Sequence, residues 1–216
     1  MRWLCSRPGT IAAGYDFAVE FRDLLRQRRM VRHYERESIP RETLEQLVAT
    51  VRRAPSAGFS QGQRLLVVDD RATLSELSSG GHEGLEPWFE SAPAHVLVLT
   101  READYHDRYT KEDKLQDDAE IEWPVPFWFV DAGAALMLVL LAAIDEGLAA
   151  GVYGVPVEDE PRWCELLGIP ADLRIVAGAT VGRPLPDPEW SKVTSRATQR
   201  RRTLDELVRW NRWSAD

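Results

Sequence analysis

Cysteine, lysine and compact catalytic signatures are all scarce in this chain of 216 residues, and each scarcity removes a class of protein. Cysteine occurs only at Cys5 and Cys164, too few and too far apart for a disulfide framework, so a reducing cytoplasm is the expected location. Lysine occurs only at Lys111, Lys114 and Lys192; the other cations are arginines, set against a formal net charge of -8. That acidic balance argues against a nucleic-acid partner. GxSxG, HExxH and CxxC are absent. His33, His82, His95 and His106 show no metal-ligand spacing, so no metal is expected. Gly147 to Gly154 contains neither GxGxxG nor a P-loop lysine. The longest apolar run, Ala132 to Ile144, is shorter than the roughly 18 to 20 residues of a membrane span, and Asp131 and Asp145 bracket it. The first residues lack an apolar stretch of secretory length.

What remains is a chain of ordinary globular composition, 44% hydrophobic and 29% charged, able to bury one sizeable core. Residues 1–15 read as a loose arm and 16–216 as a single domain. The chain is organised around Phe127 to Gly147, FWFVDAGAALMLVLLAAIDEG. Ala and Leu favour helix, and Gly147 stands where a helix stop belongs. A helix apolar on every side must be covered on every side, which predicts a central core helix and an obligate homodimer around it.

Taken in order, Phe17 to Arg29 places Phe17, Phe21, Leu24 and Leu25 on one helical face. The helix runs into Arg28, Arg29, Met30, Val31 and Arg32. Ser38 is the expected cap of a second helix with Pro40 in its first turn and Leu44, Leu47, Val48 and Val51 as its stripe. Ala54 to Gly62 is a loop of small residues. Strands are expected at Arg64 to Val68, His95 to Leu99 and Leu173 to Val181, and a small-residue strand or turn at Leu148 to Val155. Arg71 to Glu90 should hold a short helix and a Gly80-Gly81 turn, and Arg101 to Glu122 a solvated loop. Trp123-Pro124-Val125-Pro126-Phe127-Trp128 is too apolar to stay in water. Short helices are expected at Pro161 to Leu167 and Thr203 to Trp210, and Asp187 to Arg202 has little periodicity.

Two arginine clusters stand out: Arg28, Arg29 and Arg32, and Arg196 with Arg200, Arg201 and Arg202. In a helical register Arg28 and Arg32 share a face and repel by a few tenths of a kcal/mol unless an anion lies between them. A solvated face accounts for either cluster alone; a jointly held anion accounts for both.

In sequence, RRMVRHY, the Ser-Ile-Pro helix start, APSAGFSQG and the apolar helix ending EGL before a small-residue strand resemble the nitroreductase-like flavoproteins. The resemblance spans about residues 17 to 210. It implies an α+β fold with a mixed, mostly antiparallel sheet flanked by helices, built as an intertwined homodimer with FMN at the subunit interface. By the same resemblance Arg28 grips the FMN phosphate, Arg29 contacts the cofactor partly through backbone, and Arg32 lies near the ribityl chain and the N1/O2 side of the ring. Pro55, Ser56 and Ala57 match the loop that touches the ring from the other subunit. Tyr153, Gly154 and Val155 match the backbone near N5, and Arg200 and Arg202 the pair that closes on the phosphate. Phe59, Trp123 and Trp128 are assigned to the substrate side. Met30 replaces the usual serine, Phe59 an asparagine and Gly62 a proline. The implied activity is NAD(P)H-dependent reduction of nitroaromatics, quinones or another small acceptor by hydride transfer through flavin N5. A non-catalytic FMN-binding protein, flavin fragmentation and reductive dehalogenation remain alternatives.

Overall fold

Valine and leucine alternate along Val96 to Leu99, so this strand is apolar on both faces, since successive side chains of a strand enter opposite faces. The computed structural model describes residues 20–79, 87–186 and 201–213. The expected N-terminal arm, residues 17–19 of the first helix, the Gly80-Gly81 turn, Arg196 and Arg200 lie outside the described residues.

Four strands, β1 (Gln63–Val68), β2 (Ala94–Thr100), β3 (Ala149–Tyr153) and β4 (Arg174–Gly182), form one sheet in the order β1-β2-β4-β3. Every pairing is antiparallel, so the described sheet is antiparallel throughout rather than mixed. All of β2 is buried. Its Ala94, Val96 and Val98 enter one core with α2 (Arg41–Ala49) and α6 (Phe127–Asp145). Leu97 and Leu99 enter a second core on the opposite face, with Leu74 and Leu77 of α3 (Arg71–Ser78), Phe89 of α4 (Pro87–Ser91) and Trp163 of α7 (Glu160–Leu167). Helices on both faces of an antiparallel sheet make the fold α+β.

Three local expectations need correcting. Ser38 does not cap α2: Pro40 holds the cap position without a side-chain bond. Ile39 and Leu44 instead enter the same core, at the two positions of a hydrophobic staple. Within the supposed solvated loop lies α5 (Ala103–Tyr109), with Tyr105 buried. Arg101 pairs with Asp104 at 2.8 Å and His106 with Glu102 at 3.5 Å, the (i, i+3) and (i, i+4) spacings of a helix surface. Finally, α1 (Phe21–Gln27) ends before the arginines, so Arg28 and Arg32 do not share a helical face. Val31 donates to the Ala150 carbonyl at 3.2 Å, drawing Arg28 to Arg32 along the outer edge of β3.

The central helix begins at Phe127 and spans 19 residues, longer than its unbroken apolar run. It is long and apolar enough to cross a membrane by composition, yet one side is packed on the sheet, with Ala132, Ala135, Val139 and Ala143 fully buried. Its end is a Schellman motif: Leu148 N–H reaches the Ala143 carbonyl at 2.7 Å and Gly147 N–H the Ile144 carbonyl at 3.0 Å. Gly147 adopts φ +70°, which only glycine takes without strain. The chain is thereby folded straight from the helix into β3.

His95 projects from β2 into the second core, where its Nδ1 meets the Tyr153 hydroxyl and its Nε2 the Phe89 carbonyl, each at 3.0 Å. Burial pushes its pKa from 6.5 down to about 4. The unfolded chain therefore takes up this proton first as pH falls. Stability is intact above about 6.5 and declines by roughly 3 kcal/mol by pH 4 from this group alone. Urea unfolding at pH 7 and pH 4.5 should show a clearly smaller loss for a His95→Phe/Tyr153→Phe double variant than for wild type. An equal loss in both proteins refutes this role for His95.

Candidate functional site: an arginine-rimmed cleft and an aromatic wall

The extended course of residues 28–34 depends on a glycine. A Cβ on Gly151 would lie 2.2 Å from the Val31 carbonyl oxygen, so only glycine lets this segment lie flat against β3. Tyr34 pins the far end: it is buried, and its hydroxyl donates to the Val31 carbonyl at 2.6 Å and meets Thr180 Oγ1 at 2.8 Å. Burial raises the Tyr34 pKa well above 10, so it stays a neutral donor.

Between this segment and the end of α6 opens a cleft of about 380 Å³. Arg26, Arg28 and Arg29 stand at its rim, and Leu140, Ile144, Leu148, Ala149 and Ala150 form an apolar floor. None of its lining residues is acidic. Guanidinium groups over an apolar floor suit a ligand with an anionic end and an uncharged body. Arg32 is exposed just beyond, on the same extended segment.

The loop assigned to the cofactor ring lies elsewhere and is held from below by Asp131. This carboxylate is buried near the start of α6, and its Oδ2 accepts from Ala57 N–H at 2.9 Å and from the Tyr105 hydroxyl at 2.8 Å. Burial first, and then the bond to Asp131, hold Tyr105 in its neutral form. Ser56 Oγ accepts from Gln61 N–H at 3.0 Å, Ser60 Oγ donates to the Ala57 carbonyl at 2.6 Å and Arg108 Nε to the Gly58 carbonyl at 2.9 Å. Pro55 and Phe59 are exposed, Phe59 by 74% and at φ +62°. A bulky side chain in the left-handed region is unusual and strained.

Beside this loop stands an aromatic wall. Trp123 lies edge-on to Tyr109 at 4.5 Å between ring centres and near Tyr105, His106, Phe127 and Trp128 at 6.0 to 6.1 Å. Trp123, Phe127 and Trp128 are half-buried, whereas Pro124, Val125 and Pro126 between them are exposed, so the segment packs only through its three aromatic rings. One oxygen of Glu120, Oε1, accepts from Trp123 Nε1 and from His106 Nδ1, each at 2.6 Å.

Not all the expected residues come together. Arg28, Arg29 and Arg32 share one segment, and Pro55, Ser56, Ala57, Phe59, Trp123 and Trp128 gather around α5 and the start of α6. The Tyr153 side chain turns into the core toward His95, leaving only the strand-end backbone with Gly154 and Val155 for a ligand. Arg202 is exposed at the start of the tail, just before α8 (Leu204–Leu207), and among the described residues none of the tail lines the arginine cleft. The sequence reading missed Asp131 as a loop anchor, Tyr105, and the Glu120–His106 pair. A carboxylate interrupting an apolar helix was the one available signal.

A family model described as the nitroreductase family matches residues 25–183. A protein of Archaeoglobus fulgidus with the provisional name NADH dehydrogenase/NAD(P)H nitroreductase is 28% identical over 171 residues, covering 78% of this chain and 88% of its own. Human iodotyrosine deiodinase 1 is 22% identical over 213 residues, covering 88% and 68%. Among solved structures, an FMN-dependent nitroreductase from Clostridium difficile superposes with a TM-score of 0.65 at 18% identity, covering 88% of this chain and 98% of that one. The match of the family model runs from the last turn of α1 to the end of β4 and takes in both the arginine segment and the Asp131-anchored loop: the chain belongs to the nitroreductase family.

Proposed function

We propose that this protein is an FMN-dependent oxidoreductase that uses NAD(P)H to reduce small aromatic acceptors such as nitroaromatics or quinones. The observation that carries the reading is the arginine-rimmed cleft with its apolar floor and no acidic lining residue. The names of the Clostridium difficile and Archaeoglobus fulgidus relatives support it. Bound FMN would supply two-electron transfer between nucleotide and acceptor. The chain's own part is to bind and orient. Arg28 holds the phosphate, Arg29 contacts the cofactor partly through its backbone, and Arg32 offers positive charge farther along the segment. A charged hydrogen bond of this kind is worth roughly 1.5 to 3 kcal/mol.

The reading includes a homodimer. Phe21 and Leu25 of α1, Phe129, Val130 and Met137 of α6, and Leu204, Leu207, Trp210 and Trp213 of the tail are all exposed. So many large apolar side chains on helices and a tail call for a partner surface. A second copy supplies one, bringing its Pro55–Ala57 loop, with Phe59, to the cofactor ring and its Arg200 and Arg202 to the phosphate. Trp123 and Trp128 wall the acceptor side. The relative named iodotyrosine deiodinase favours reductive dehalogenation as the second reading, which halide release from iodinated phenols would reveal.

Arg28→Ala and Arg202→Ala should each lose FMN on dialysis, with affinity falling roughly 10- to 150-fold. Riboflavin, which lacks the phosphate, should bind wild type and variants alike, and Arg22→Ala should have no effect. Retention of FMN by both motif variants refutes the assignment.

Sedimentation at micromolar concentration should show a stable dimer, with more than about 2,000 Å² buried if the interface is obligate. A folded monomer under those conditions removes the partner-borne half of the site.

Trp128→Ala should raise KM or change acceptor preference while flavin content stays intact. Unchanged kinetics across several acceptors would make the wall a plain core plug.

A further inference from the structure

The aromatic wall is fixed by one carboxylate that the proposed redox chemistry does not use. Glu120 Oε1 accepts from Trp123 Nε1 and from His106 Nδ1, both at 2.6 Å. These bonds tie the segment after α5 both to that helix and to the indole that begins the turn into α6. Trp123 meets all five of its ring neighbours edge-on or tilted, so a rotation of its ring moves the whole surface. Indole nitrogen has one proton and one useful direction, and the Glu120 contact uses it. We propose that Glu120, paired with His106, is the positioning residue of the aromatic wall: it fixes the Trp123 indole and thereby sets which acceptors fit. This rests on the reading that the wall borders the acceptor site.

The charges around the pair fit a fixed anchor. His106 Nε2 faces Glu102 Oε1 at 3.5 Å on its own helix. From the segment after α5 it faces Glu120, while Arg108 is engaged by Asp113 and Lys114 sits over the Tyr109 ring. The ionisable residue that α6 contributes nearby, Asp131, is bonded to Ala57 and Tyr105. The Glu120 hydrogen bond raises the His106 pKa above 6.5, and the Trp123 bond, followed by His106, lowers that of Glu120. The charged pair is therefore complete near pH 6.5 and weakens as pH rises through the higher folded value of His106.

The test combines indole NMR of the FMN-loaded, tryptophan-labelled protein with acceptor kinetics. The Trp123 indole N–H is identified by its loss in Trp123→Phe. In wild type it should titrate with a midpoint above 6.5. Glu120→Gln should lower that midpoint, and Glu120→Ala should shift the resonance upfield. KM for bulky flat acceptors should change by at least roughly tenfold in Glu120→Ala, the low end of what a misfitted pocket wall costs. Flavin content and kcat should hold, and Glu120→Gln should recover most of the KM. His106→Gln serves as the second variant should Glu120→Ala fail to fold, with a smaller KM change expected. A Trp123 resonance insensitive to Glu120 overturns the anchor. A shifted resonance with an unchanged acceptor profile overturns the claim on specificity. Wild-type protein that binds no FMN overturns the functional reading, and the claim on acceptors with it.

Discussion

A helix without a polar face must find cover on all sides, and α6 is the constraint around which the other elements are placed. Its inner face is covered by the sheet and by α2, through Ala132, Ala135, Val139 and Ala143. Small alanines on that face let the helix approach the strands closely. Phe129, Val130 and Met137 point outward and are not covered by the described residues of their own chain. The exposed positions 130, 133 and 137 follow helical spacing along one stripe. The arginine cleft lies where the C-terminal end of that helix meets α1 and β3, and Leu140 both lines the cleft and belongs to the core.

The one ionisable group buried in α6 is Asp131, and its place is explained by what it holds. A buried carboxylate needs donors, and Ala57 N–H and the Tyr105 hydroxyl supply them. In return the helix fixes a loop whose backbone would not hold its shape unaided. Phe59 and Gln61 both have positive φ, at +62° and +53°. Strain of this kind costs on the order of 1 to 3 kcal/mol per residue and persists only where surrounding contacts over-determine it. Here those contacts are Asp131, the Ser56 and Ser60 hydroxyls, and Arg108. Rigidity of the loop and exposure of Phe59 are thus two results of one arrangement.

Periodic patterns were legible in the sequence, and pairings between distant residues were not. Alternation marked β2, the apolar run marked α6, and the small residues from Leu148 to Val155 marked a strand or turn, without showing that another segment lies against it. What approaches is the backbone of Val31, and no local pattern announces that. The same contact pulls Arg28 to Arg32 out of the helix that their composition suggested. α5 was hidden because its buried face amounts to Tyr105 with partial help from Tyr109, too little to give a hydrophobic period. Glu120 looked like one more charge in an acidic stretch, since its meaning lies in His106 and Trp123, which only folding brings together. The arginines stood out in the sequence as candidates for an anion site; that Arg201 and Arg202, the described members of the tail cluster, do not line the cleft required the structure.

The departures from the family pattern follow the same logic. Gly62 stands where proline is usual, and a Cβ there would lie 2.3 Å from the Tyr105 ring and 2.9 Å from the Arg101 carbonyl oxygen. No proline fits. The space is taken by Tyr105, whose hydroxyl is bonded to Asp131. Gly58 repeats the relation with Tyr109, whose ring lies 2.6 Å from where its Cβ would be. Two aromatic rings from α5 thus press on the loop through positions that carry no side chain. Phe59 differs in kind: asparagine tolerates positive φ, phenylalanine tolerates it poorly, and an exposed ring gains nothing from its own core. Met30 is exposed on the arginine segment, and nothing in the structure explains its replacement of serine. The loop thus packs on α5, the element that also carries part of the aromatic wall, while the arginine cleft lies at the other end of α6.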